Sequence, residues 1–230
     1  MKIIIGVILL KVTFAFGYVA EIRDLHAKNK TVLFTLTADE KTEADKKSIH
    51  ALFKQKDKVV VAQDAILDAK TGELIKSSIE QIQTKEKGTT EVVGDQVKLT
   101  YKADGKPMET KEFKKPKRFV TTDNFDDWLV FHFDELKKSK SVQVEFLAWD
   151  RLEIYKFKLT YLGLESFDQV KAQHFKLVID NVLLAQFVPA IEIWKSEDMQ
   201  KMLKFEGRVA VKRVKGPGLE NFDGEVLYFH

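Results

Sequence analysis

The chain has 230 residues, 44% of them hydrophobic and 32% charged, a globular composition that excludes disorder throughout. Cysteine is absent, so disulfides, thiolate zinc sites, iron–sulfur clusters, cysteine nucleophiles and Cys-anchored lipids are excluded. The net charge of +3 is too slight a bias to indicate a nucleic-acid partner.

The first seventeen residues read as a secretory leader. Lys2 precedes an apolar run over 3–10, and Ala15 and Gly17 stand three and one residues before a cut that would leave Tyr18 first. Lys11 interrupts the run, so it is too short for a membrane span, and the chain is not expected to be an integral membrane protein. A buried N-terminal strand or helix is the alternative. Cleavage would remove Lys2 and Lys11 and bring the net charge to +1. The expected location is the periplasm or the medium. Residues 18–230 are expected to form a single β-rich domain, long enough to bury a core without staples.

Period-two alternation dominates the rest of the chain. Val32, Phe34 and Leu36 open it, and a partly two-sided strand is expected over 59–67. Strands over 74–84, 89–93, 96–102 and 107–113 follow, punctuated by Gly72, Gly88, Gly94-Asp95 and Asp104-Gly105. Phe125, Trp128, Leu129, His132, Phe133 and Leu136 then recur at spacings of three and four, which predicts a helix over 124–138. Asp123 stands at its N-cap position, Asp126 and Asp127 in its first turn, and Lys137 and Lys138 at its end.

Strands resume with Val142, Val144, Phe146 and Ala148. Tyr155, Phe157, Leu159 and Tyr161 form the cleanest amphipathic strand. Further strands are expected over 171–179, 191–194, 201–214 and 226–229, with a short apolar stretch over 182–188. About eleven strands and one main helix predict a mainly β fold. It is a strongly curved antiparallel sheet or half-open barrel with the helix packed on or across it.

No nucleophile elbow, metalloprotease motif, P-loop or dinucleotide fingerprint is present, and the five His lack metal-ligand spacing. The residues therefore indicate no catalytic set, no metal site and no cofactor. Asp123, Asp126 and Asp127 read as a helix N-terminus rather than a cation site, because no Gly-centred calcium loop accompanies them. Asp150, Arg151 and Glu153 read as a hairpin salt bridge, with an acid/base cluster of an unfamiliar enzyme as the alternative. Lys114-Lys-Pro-Lys-Arg118 reads as a solvated loop, with contact to anionic headgroups as the alternative.

Aromatic content is the more suggestive feature, with 17 Phe, 5 Tyr and 3 Trp. A curved sheet with an aromatic concave face under a helix can hold an apolar or lipid-like ligand. Phe125, Trp128, Phe133, Phe146, Tyr155, Phe157 and Trp194 are the residues expected to line it. The alternative is a filled core, which would suit an envelope protein-interaction or assembly module offering an apolar patch or an open sheet edge.

The C-terminal half also resembles an uncharacterised family of secreted bacterial proteins of unknown function. The likeness rests on Phe125-Asp-Asp-Trp128, Leu136, Ser141-Val-Gln-Val-Glu-Phe146, Asp150-Arg151 and Tyr155-Lys-Phe-Lys-Leu159. It continues through Pro189-Ala-Ile-Glu-Ile-Trp194, Lys201-Met-Leu-Lys-Phe-Glu-Gly207 and Tyr228, and spans roughly 55–230. Lys137-Lys-Ser-Lys140 departs from the small-residue turn usual there. More remotely, the pattern is similar to the half-open barrels of lipoprotein-carrier proteins. That resemblance implies binding of acyl chains or another apolar molecule, by fold analogy alone.

Overall fold

The alternating segments pair in chain order as a meander. In the computed structural model, which describes residues 16–181, 185 and 188–230, they build one 15-stranded sheet. The first eight strands are β1 (Phe16–Asp24), β2 (Val32–Glu43), β3 (Lys46–Gln55), β4 (Lys58–Asp68), β5 (Leu74–Gln81), β6 (Glu86–Val93), β7 (Gln96–Lys102) and β8 (Glu109–Lys114). The chain then passes through β9 (Phe119–Val120) and the helices α1 (Phe125–Phe131) and α2 (Phe133–Ser139). It returns through β10 (Ser141–Ala148), β11 (Glu153–Phe167), β12 (Val170–Ile179), β13 (Ile191–Ser196), β14 (Met202–Lys215) and β15 (Gly218–Phe229). β1 pairs with β15, which joins the two meanders, and β8 and β9 remain as the two edges. The leader expected over the first seventeen residues lies outside the described residues up to position 15, and Phe16 and Gly17 belong to β1. Of the apolar stretch over 182–188, only 185 and 188 are described.

The curved, unclosed sheet is the expected architecture, with three further strands, β1, β3 and β9, and a divided helix. β3 was not anticipated. Its inward residues Ile49, Ala51 and Phe53 are framed by Lys and His, and small Ala51 weakens the alternation. β1 merges by sequence with the apolar run before it. The helix breaks at His132, whose ring stacks on Trp128 at 4.0 Å between centroids and whose Nδ1 lies 2.9 Å from the Trp128 carbonyl. The N-cap is Asn124, not Asp123. Buried Asn124 accepts from the Thr121 amide through Oδ1 and donates to the Gly72 carbonyl, tying α1 to the β4–β5 turn.

The sheet rolls past itself. In β10 and β11, Val142, Val144, Phe157 and Leu159 face the helices. Leu147 and Ile154, of the opposite parity, pack instead against the inner face of the first meander, on Ala65, Leu67, Leu74, Val97 and Leu99. A strand end buried on both faces is thus tucked inside the curve of the other half. Gly88 makes room at this seam, because a Cβ there would stand 2.6 Å from the Trp149 ring.

One end of the roll is partly stopped by β14. Arg208 pairs with Asp223 and Lys212 with Asn221, so Val209, Ala210 and Val211 face Phe222 alone in a wide bulge. The bulge drives Val211 into the core beside Phe34 and Phe222. Gly224 accepts it, since a Cβ there would lie 2.6 Å from a Val209 methyl. Side-chain amides fasten the bulge across the roll: Gln81 donates to the Ala210 carbonyl, and Gln83 both donates to and accepts from Lys212.

Candidate functional site

Six of the seven aromatic residues expected to line a pocket come together. Phe125 and Trp128 descend from α1, Phe133 from α2, Phe146 from β10, and Tyr155 and Phe157 from β11. They meet ring to ring rather than around a space. Phe125 and Phe157 each lie within 6 Å of Phe146, and Phe133 packs edge-on against Tyr161 and Phe175. The concave aromatic face is a packed core. Trp194 stands apart from it. Ile193 points inward, so Trp194 points outward, where it stacks on His174 at 4.3 Å and donates to Glu165.

The acidic first turn of α1 acts at the end of the roll where β1 begins. Asp127 binds Lys47 of β3 at 2.9 Å, and Lys47 also meets Glu40 of β2 at 2.8 Å. Asp126 binds Lys195 of β13, whose side chain has no exposed surface. The neighbouring carboxylates thus tie the helix to both walls of the roll. Burial alone would lower the Lys47 ammonium, but Asp127 and Glu40 outweigh it and hold the pKa above its ordinary value. Tyr18 and Tyr228, close to this cluster, are pushed upward by burial and then by nearby acidic groups, so both phenols stay protonated. Lys47 and the two phenols thus keep their protons, and the ion pairs form a clasp between the helix and the sheet. The two lysines and the tyrosines lie far apart in sequence and carry no local signal.

Asp123 occupies the seam. With Ser77, Thr90, Thr121 and Gln63 it borders a cavity of about 20 Å³, room for one water molecule. Burial pushes its carboxyl up to about 6, against lowering hydrogen bonds from Ser77 and Thr121.

The remaining sequence candidates are dispersed. Asp150 and Arg151 are exposed in a short 3-10 turn, Arg151 has no ion pair among the described residues, and Glu153 accepts from Tyr155. In the basic run, Lys115 pairs with Glu73 and Arg118 with Glu135.

A ligand-sized hollow lies at the opposite end, beside the bulge. It measures about 420 Å³ and opens between the β1–β2 loop, the β3–β4 turn and the tip of the β14–β15 hairpin. Leu33, Phe34 and Val214 supply apolar wall, and Asp24, Asn29, Thr31, Gln55 and Arg213 supply polar groups, the Asp24 carboxylate being engaged by Arg213. Arg213 is held in place by Glu220 at 2.8 Å and by Asp24, with its guanidinium 5.7 Å from the Phe222 ring. Phe34 alone among these residues stands out in the sequence, and only as part of the β2 alternation, because the walls come from three hairpin ends that only the roll brings together.

No family model matches the chain, and no curated protein matches it. Among solved structures it is similar to a beta-barrel-like protein of a domain of unknown function, DUF1849, from Brucella abortus. That match has a TM-score of 0.49 and 6% identity over 94% of this chain and 95% of that one. It is also similar to a DUF1329 family protein from Desulfovibrio piger, with a TM-score of 0.25 and 9% identity over 94% of this chain and 83% of that one.

Proposed function

We propose that the protein is a non-catalytic binder of a small apolar or lipid-like molecule, working in the periplasm or outside the cell, and that the ligand sits in the end recess rather than among the core aromatics. The observation that carries this reading is the recess itself. Its 420 Å³ falls in the range of small-molecule sites, and its lining combines apolar wall with a few fixed polar groups. The packed aromatic cluster supports moving the ligand away from Phe125, Trp128 and their neighbours. The Lys2-led apolar run supports export.

Native mass spectrometry of protein expressed with its own N-terminal segment, followed by solvent extraction, tests the reading. A lipid-sized adduct and an intact mass beginning at Tyr18 are expected. A bare mass, with no rise in melting temperature on adding apolar ligands, would overturn it. That result would favour the second reading, an envelope-assembly module. The exposed β8 edge speaks for that module, although its Glu109, Lys111, Glu112 and Lys114 are the charges that usually guard an edge against pairing.

A further inference from the structure

The recess has a charge character that the chain as a whole lacks. The three segments framing it, 24–34, 54–58 and 212–220, hold seven lysines and Arg213 beside Asp24, Asp57 and Glu220, while the entire chain is at +3; Lys30, Lys212 and Lys215 are paired with Glu225, Glu86 and Glu220, which leaves four lysines as the rim. Lys28, Lys54, Lys56 and Lys58 have no ion-pair partner among the described residues, and Lys28, Lys56 and Lys58 are exposed. Arg213 spends Nε on Glu220 and Nη1 on Asp24, and its Nη2 edge has no hydrogen bond among the described residues. A guanidinium fixed by two carboxylates, with one edge free beside an apolar wall, is prepared for an acceptor on a ligand.

Resting on the ligand-binding reading above, we infer that the occupant is an anionic amphiphile taken up as a monomer: its apolar body lies on Leu33, Phe34 and Val214, and its negatively charged head meets the Arg213 edge under the lysine rim. The charge complementarity selects this class over neutral or cationic amphiphiles, which leave Arg213 and the rim unmatched. The lysines act through solvent and are screened by salt, whereas Arg213 acts at contact distance.

The test compares dodecanoate, dodecanol and dodecyltrimethylammonium below micellar concentrations, by displacement of a fluorescent apolar probe from the full chain. Dodecanoate should bind about tenfold more tightly than dodecanol, the size of one charge-assisted hydrogen bond, and the cation weakest. High salt should narrow the gap without closing it. Arg213→Gln should bring dodecanoate to the level of dodecanol. Because Arg213 also braces Asp24 and Glu220, the double variant Lys56→Glu/Lys58→Glu provides a second arm on exposed side chains and should weaken dodecanoate while sparing dodecanol. Equal binding of dodecanoate and dodecanol would overturn the inference and leave the ligand-binding reading standing. No binding by any of the three would overturn both. Binding only to anionic vesicles, with no uptake of monomer, would replace a ligand site by a membrane-facing patch and also overturn it.

Discussion

Asp123 and the Asp126–Lys195 pair show how single residues set the terms of this fold. Because the Asp123 carboxyl is raised to about 6 from an ordinary 3.8, the native state holds its proton more tightly than the unfolded chain does. Its contribution is therefore fully present below about pH 4, declines as the pH rises through 6, and stays lost above that. Asp123→Asn should abolish the decline. Subtracting its stability curve from that of the wild type, by urea unfolding between pH 4 and 8, isolates this group from carboxyls such as Glu86 and Glu192, which shift the other way. The variant should gain on the order of 1–2 kcal/mol at pH 8 relative to pH 4, and a flat difference would refute the assignment. The Asp126–Lys195 pair should be asymmetric. Lys195 is fully buried while Asp126 is 43% exposed, so Asp126→Ala strands an ammonium in the core and should cost about 3 kcal/mol. Lys195→Met leaves a carboxylate that can turn to water and fills the same channel, and should cost about 1 kcal/mol or less. Equal losses in urea midpoint would contradict this account.

At the scale of elements, the seam depends on one close approach. Gly88 has an ordinary strand backbone, so Gly88→Ala introduces no backbone strain. Its cost should report only the collision with Trp149 at 2.6 Å and Ile79 at 3.2 Å. A loss of about 1–3 kcal/mol is expected, and in a Trp149→Leu background the same change should cost much less. If the two costs simply add, Trp149 is not what Gly88 accommodates. Elements were legible in the sequence where alternation or helical spacing was strong. Tyr155, Phe157, Leu159 and Tyr161 stand in register on β11, and the stripe from Phe125 to Leu136 does lie along the helical segment. The break at His132 was not legible, since its stacking on Trp128 and its bond to a carbonyl preserve the three–four spacing across the interruption. The β14 bulge was hidden for a related reason. Val209, Ala210 and Val211 continue an apolar run, and only the partner strand reveals that three residues face one.

For the molecule as a whole, the sequence indicated a curved sheet under a helix, and the rolled, unclosed sheet has that form. The same pattern could not say whether the aromatic face was hollow, because alternation assigns a side chain to a face and not to a neighbour. Alternation separates Phe146 from Leu147 by face, yet what Phe146 meets, Phe125 and Phe157, is decided by how tightly the sheet rolls. Trp194 was misplaced for want of the register that turns it outward. The recess was invisible for the same reason, since Phe34, Gln55 and Val214 become neighbours only when three hairpin ends gather at one end of the roll.

A ligand held at that end and not in the aromatic interior must respond to probes placed at the recess. The absence of native cysteine permits single labels at chosen sites. An environment-sensitive dye on Val214→Cys, at the recess, and the same dye on Lys138→Cys, on exposed α2, can each be titrated with a spin-labelled acyl chain. Strong saturable quenching at position 214 with little at 138 is the predicted result. Equal quenching at both positions, or stronger quenching at 138, would contradict the claim.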